Sequence, residues 1–336
     1  MKRITRLFLG SLILMSFLGC WRKNTAPNVD HIDVEVNVTD FYDDLFSLPA
    51  DSFEAQLPFL KGKYGDYLRA YSMAIVGAGD PDDEKYPEMM KRFLSYEPNR
   101  EVIDSVRAVF GDDAWLKKQL EQAFKYQKYY FPDEIIPHVY LHISGFNQSV
   151  AIDSSWVSVS VEKYLGTDCV FYEWLSVPLY LRRGMRPQKV VPDIMKAIAM
   201  SNYAYNDSVD NLLNQMVYYG KILYYVKKMM PALPDSLLFD YTQQQLEWAE
   251  DNESKMWATL VEKKHLFSND RMTMQRYVGE APFTYYYGQK SPGRIGNYFG
   301  LKIVTSFMER HDEVTLPQLM QMSDGQALFS QAGYQP

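Results

Sequence analysis

Residues 136–161 read IPHVYLHISGFNQSVAIDSSWVSVSV, and this stretch decides the fold class. Residues 138–143 are strand-like, Ser144-Gly145-Phe146-Asn147 supplies turn chemistry, Val150 and Ile152 alternate, and residues 156–161 alternate again. The pattern predicts a small antiparallel meander. Upstream, Ile32, Val34, Val36 and Val38 point one way while Asp33, Glu35 and Asn37 point the other, the period of a half-buried strand. Residues 41–48 return to helical spacing, and 53–75 and 86–131 read as several helices interrupted at Pro81, Pro87 and Pro98. From residue 173 onward the chain is helical, with stops at Pro187, Pro231, Pro234, Pro282, Pro292 and Pro317. A small sheet covered by many helices is an α+β fold.

Outside this body, the first twenty residues have a separate logic. Lys2, Arg3 and Arg6 form a positive start, residues 7–18 an apolar run too short to span a bilayer, and Phe17-Leu18-Gly19-Cys20 resembles a lipobox. Residues 1–19 are therefore expected to be a lipoprotein signal peptide, with Cys20 as the lipidated residue. Two or more acyl chains are enough for stable anchoring, so the membrane is an expected partner through Cys20. Residues 20–30 carry no hydrophobic period and include Pro27, which predicts a short flexible tether. The rest, 31–336, is read as one domain.

Removing residues 1–19 leaves 32 basic and 42 acidic side chains, a formal charge of −10. That excess of acid argues against a nucleic-acid partner. With Cys20 acylated, only Cys169 remains, so no intramolecular disulfide can form, and Cys169 reads as a small core residue. The 26 tyrosines imply either many packed amphipathic rings or a polar-aromatic surface.

Few side chains carry chemistry. No G-x-S-x-G elbow, Walker loop or dinucleotide fingerprint is present. His138 and His142 are four apart, but on a strand that separation is about 13 Å, too far for one zinc. The acidic run 80–84 lacks the ligand spacing of a calcium loop and reads as a solvated loop. Glu247, Glu250 and Glu253 follow helical steps and read as a solvated face. On a helix expected over 208–230, Asn214, Tyr218, Lys221 and Tyr225 form a polar-aromatic stripe, which lines a pocket or forms a buried hydrogen-bond layer. Ser291 and Pro292 suit the start of a helix over 297–310, where Arg294 holds a carboxylate or phosphate ligand or, more plainly, anchors an internal carboxylate. No metal and no cofactor is expected.

The stretches 137–147, 218–224 (YYGKILY), 241–248 (YTQQQLEW), 251–257 (DNESKMW) and 291–300 (SPGRIGNYFG) resemble the gliding motility-associated lipoprotein GldB family in order and spacing. The resemblance implies a noncatalytic, membrane-anchored accessory or scaffold protein tied to gliding and type IX secretion, with other envelope or gliding-machinery lipoproteins as partners. It implies outer-membrane attachment, and the Trp-Arg-Lys-Asn sequence after Cys20 favours the periplasmic face. The layout is also similar to zinc-peptidase (zincin-like) folds. Where those carry H-E-x-x-H, this helix reads Asn214-Gln215-Met-Val-Tyr218, a poor donor set for zinc. The alternatives are a cryptic peptidase-like hydrolase around Asn214, Tyr218 and Arg294, or a carbohydrate- or peptide-binding lipoprotein.

Overall fold

The computed structural model describes residues 26–336. The expected signal peptide, Cys20 and the start of the tether lie outside the described residues. Val29 is buried, so the packed body begins within the stretch read as tether.

All three strands expected between 136 and 161 form: β2 (His138–His142), β3 (Val150–Ile152) and β4 (Trp156–Ser160), preceded by β1 (Val38–Thr39). Their arrangement corrects the expected antiparallel meander. The order is β1-β2-β4-β3, with β1 parallel to β2, β2 parallel to β4, and only β3 antiparallel to β4. Burial explains the exchange. Every residue of β4 is buried, whereas all three of β3 are only partly covered, so β4 takes the interior position and β3 the edge. Glu162, just beyond β4, also accepts from the backbone N–H groups of Ser144 (2.8 Å) and Phe146 (3.0 Å). It thereby draws the chain leaving β2 across the end of β4 and out to the edge.

The serines of β4 do not face water. Ser158 bonds the Tyr67 hydroxyl (2.6 Å) and His142 Nδ1, and Ser160 bonds Ser144 (2.6 Å). Residues 31–38 do alternate in exposure, but only Val38 and Thr39 join the ladder. Val139 N–H still reaches Asn37 O (2.8 Å), but two residues back, where β2 would next donate toward β1, stands Pro137, which has no N–H.

The helices are α1 (Phe41–Phe46), α2 (Phe53–Ala70), α3 (Tyr86–Ser95), α4 (Glu97–Phe110), α5 (Ala114–Tyr130), α6 (Val170–Trp174), α7 (Leu179–Arg182), α8 (Val190–Asn202), α9 (Leu212–Met229), α10 (Asp235–Phe239), α11 (Gln243–Asp251), α12 (Glu253–Glu262), α13 (Arg271–Val278), α14 (Ile295–Arg310), α15 (Leu316–Gln321) and α16 (Gly325–Ala332). The π turn 71–75 extends α2. With the four-stranded mixed sheet, this is the α+β class. Several prolines expected to stop helices start them instead: Pro87, Pro98 and Pro317 lie in the first turns of α3, α4 and α15, where a missing N–H costs nothing. Helix α9 begins at Leu212, later than expected, because the Asn211 side chain caps it by accepting from Asn214 N–H.

Two blocks make the core. Against the sheet, Phe41 meets Tyr64, Tyr67 and Tyr71 edge-on at 4.7–5.0 Å, and Tyr67 stacks on Tyr140 at 3.7 Å. In the second block, α9 and α14 touch backbone to backbone. A Cβ on Gly220 would lie 2.2 Å from Gly300 C, and one on Gly300 would lie 1.8 Å from Met216 O. Many tyrosines are internal, and several hydroxyls are tied off, as in Tyr71 to Ile143 O (2.7 Å) and Tyr172 to Glu162 O (3.0 Å), whereas the buried Tyr225 hydroxyl has no hydrogen-bond partner among the described residues. Among the described residues, no helix is long and apolar enough to cross a membrane.

Candidate functional site

A cleft of about 1010 Å³ opens beside the edge of the sheet. Its walls come from the loop after β2, the turn after β4, the α6–α7 segment, the first turns of α8, Asp240 at the end of α10, and Arg294 at the start of α14.

The floor is charged. Lys189 Nζ lies 3.0 Å from Asp240 and 3.4 Å from Asp193, and donates to Leu237 O (3.0 Å). Arg294 reaches Asp240 (3.1 Å), Glu280 (3.0 Å) and Phe239 O (2.8 Å), while Tyr164 donates to Asp193 (3.0 Å). Burial alone would push the Asp240 carboxyl up, but the Lys189 and Arg294 charges outweigh it and hold it below the ordinary carboxylate range. Burial likewise works against the Lys189 ammonium, and Asp193 and Asp240 reverse that, raising it. Lys196, one turn further along α8, forms no hydrogen bond or ion pair among the described residues, and burial lowers its pKa.

Backbone conformation marks the same place. Among the described residues, five non-glycine residues have positive φ: Phe146, Ser176, Asp240, Lys264 and Arg294. Phe146, Asp240 and Arg294 line the cleft, and Ser176 sits between the lining residues Leu175 and Val177. Asp240 and Arg294 are both left-handed, and it is these two that pair. Such conformations cost of order 1–3 kcal/mol each and persist where the surroundings impose them, often at functional sites. Here the imposing contacts are local. Tyr241 Oη donates to Gly293 O (2.7 Å), and Gly293 packs so closely that a Cβ would lie 2.1 Å from Ala281 O.

Of the residues singled out in the sequence, Arg294 takes its plainer role and anchors internal carboxylates. Ser291 does not cap α14. Its hydroxyl donates to Gly288 O (2.7 Å), and Thr284 Oγ1 instead accepts from Ile295 N–H (3.2 Å). Asn214, Tyr218 and Lys221 line a separate, smaller pocket of about 160 Å³. There Lys221 donates to Met320 O (3.1 Å) and Met322 O at the end of α15, a favourable place for a cation, and burial lowers its pKa to about 8. Tyr225 is fully buried against Phe131 and reaches neither pocket. The stripe is thus part pocket and part internal layer.

The other acidic clusters are structural. Asp80 and Asp82 pair with Arg69, and Asp82 with Lys61 (2.7 Å). Glu247 and Glu250 are exposed, but Glu253 is not part of a solvated face: it accepts from Tyr298 (2.8 Å) and Tyr334 (2.6 Å). His142 is fully buried, and burial lowers its pKa to about 3. Among the described residues, no three His, Cys, Asp or Glu side chains converge as a metal site. Lys189, Asp193, Lys196 and Asp240 were not singled out from sequence. The available signal was the charged row 189, 193, 196 on an otherwise apolar helix.

Residues 22–336 match the family described as gliding motility protein GldB. No curated protein and no solved structure matches the chain.

Proposed function

Because the chain belongs to the GldB family of gliding motility proteins, we propose that it is a lipid-anchored, noncatalytic accessory protein that holds partner lipoproteins of the gliding and type IX secretion machinery. The lipid is carried on Cys20, the membrane is the outer membrane, and the body 31–336 works as one domain on the periplasmic face. The observation that carries this reading is the family match over almost the whole chain. The cleft adds support. Its carboxylates Asp193 and Asp240 are committed to Lys189, Tyr164 and Arg294, an arrangement that fixes shape and charge. We further read the scaffold as a relative of zinc-peptidase folds, with Asn214 and Tyr218 standing where such enzymes hold their metal.

Cross-linking the lipidated chain in cells and capturing it should recover other envelope lipoproteins, while the purified chain should hold no stoichiometric zinc and turn over neither peptide nor glycan libraries. Turnover abolished by Asp240→Asn, or zinc lost on Tyr218→Ala, contradicts the noncatalytic reading.

A further inference from the structure

The cleft holds two lysines without a direct hydrogen bond or ion pair among the described residues, Lys163 beside Glu162 and Lys196 on α8. Lys189 has three partners, Arg294 has three, and Asp193 and Asp240 are each shared between two donors. Lys196 has none of these, although it lines the same cavity. Lys196 is half-buried, and an ammonium partly withdrawn from water without a direct partner gains from an anion beside it. Asp193 and Asp240 attract Lys196 without touching it, Arg294 and Lys189 oppose them, and burial outweighs the attraction.

Much of the remaining wall is apolar, with Phe93, Phe146, Leu181, Met185 and Met200 among its members. The apolar surface does not end at the wall. Phe146 faces Phe171 at 6.2 Å, and Phe171 meets Trp174 edge-on at 5.3 Å. Trp174 is 64 % exposed, with Leu175 (52 %) and Leu179 (67 %) exposed in the same segment. A row of rings thus runs from inside the cleft to an exposed apolar lip, and such patches mark contact with lipid or ligand. At about 1010 Å³ the cavity sits at the upper end of small-molecule sites, far larger than a free phosphate needs.

We propose that this cleft binds a single-chain anionic amphiphile, its carboxylate or phosphate head on Lys196 and its acyl chain along Phe146 and Leu175 toward the exposed Trp174 lip. The site is distinct from the partner-holding role and does not depend on it. A free fatty acid and a lysophospholipid share this chemistry, and the head group separates them.

The test uses the full lipidated chain in neutral phosphatidylcholine nanodiscs, irradiated with a diazirine-bearing hexadecanoate, its phosphate-headed analogue or its methyl ester. Adducts mapped by peptide mass spectrometry should fall on the cleft wall and the α6–α7 segment. Whichever anionic probe labels more strongly identifies the source. The ester should label about tenfold less, the size of one charge-assisted hydrogen bond. Lys196→Gln should bring the anionic probes down to the ester level, and Lys196→Arg should retain them. Equal labelling by ester and acid, no effect of Lys196→Gln in a chain whose melting is unchanged, or adducts confined to other surfaces overturns the proposal. Should Lys196→Gln fail to fold, Leu175→Glu, an exposed change that sets a like charge on the path of the acyl chain, must lower wall labelling by both anionic probes, and unchanged labelling also overturns it.

Discussion

His142 shows how much a residue's surroundings change its chemistry. Its spacing from His138 was enough to exclude shared zinc ligation on a strand. Its burial was not legible, because Ser158 and Ser160 alternate with valines as water-facing residues do. Instead the hydroxyls are inside, and Ser158 carries the imidazole. The folded state holds His142 neutral, with a pKa of about 3, while the unfolded chain has the ordinary value near 6.5. A depressed folded value means that stability is present above pH 6.5 and declines as pH falls toward 3, at most roughly 1.4 kcal/mol per pH unit. Urea unfolding across that window should show this slope, and His142→Asn, which can still bond Ser158, should remove it. Equal slopes for both chains would refute the assignment.

Among the elements, the strands between 136 and 161 were legible and their pairing was not, while the strand expected over 31–38 is one only from Val38. Three strands stand where their alternation places them, because side-chain period is a local property. Their order goes with the full burial of β4 and with Glu162, a residue beyond the last strand whose carboxylate gathers the loop after β2, and alternation within the strands encodes neither. Prolines mark helix boundaries, but whether one begins or ends a helix depends on where the first turn falls. The α9–α14 crossing is set by two glycines that let backbones touch. Gly300→Ala places its methyl inside Met216 O and must separate the helices, which should destabilise the chain by about 1–3 kcal/mol or more. Gly220→Ala should do the same, and the double variant should cost less than the sum, since one separation relieves both overlaps. Denaturant midpoints of the three variants check this. Additive losses would mean that the glycines act apart.

At the scale of the molecule, the family was legible from the order and spacing of five short stretches, and the match over 22–336 bears it out. The cleft was not legible. Its floor joins Tyr164, Lys189, Asp240 and Arg294, four positions spread over more than a hundred residues, and only folding brings them together. The stripe on α9 was found by period alone, but period cannot tell a pocket wall from an internal layer, and α9 contributes to both. On the proposed function, attachment is what joins fold to role, since a body that holds partners beside a membrane has to be fixed there. The most direct measurement is mass spectrometry of the N-terminal peptide from chain isolated from the cell envelope. The account predicts a chain beginning at Cys20, with diacylglycerol on its sulfur and an acyl group on its nitrogen. A chain that still begins at Met1, with Cys20 unmodified and the protein free of the envelope, would contradict it.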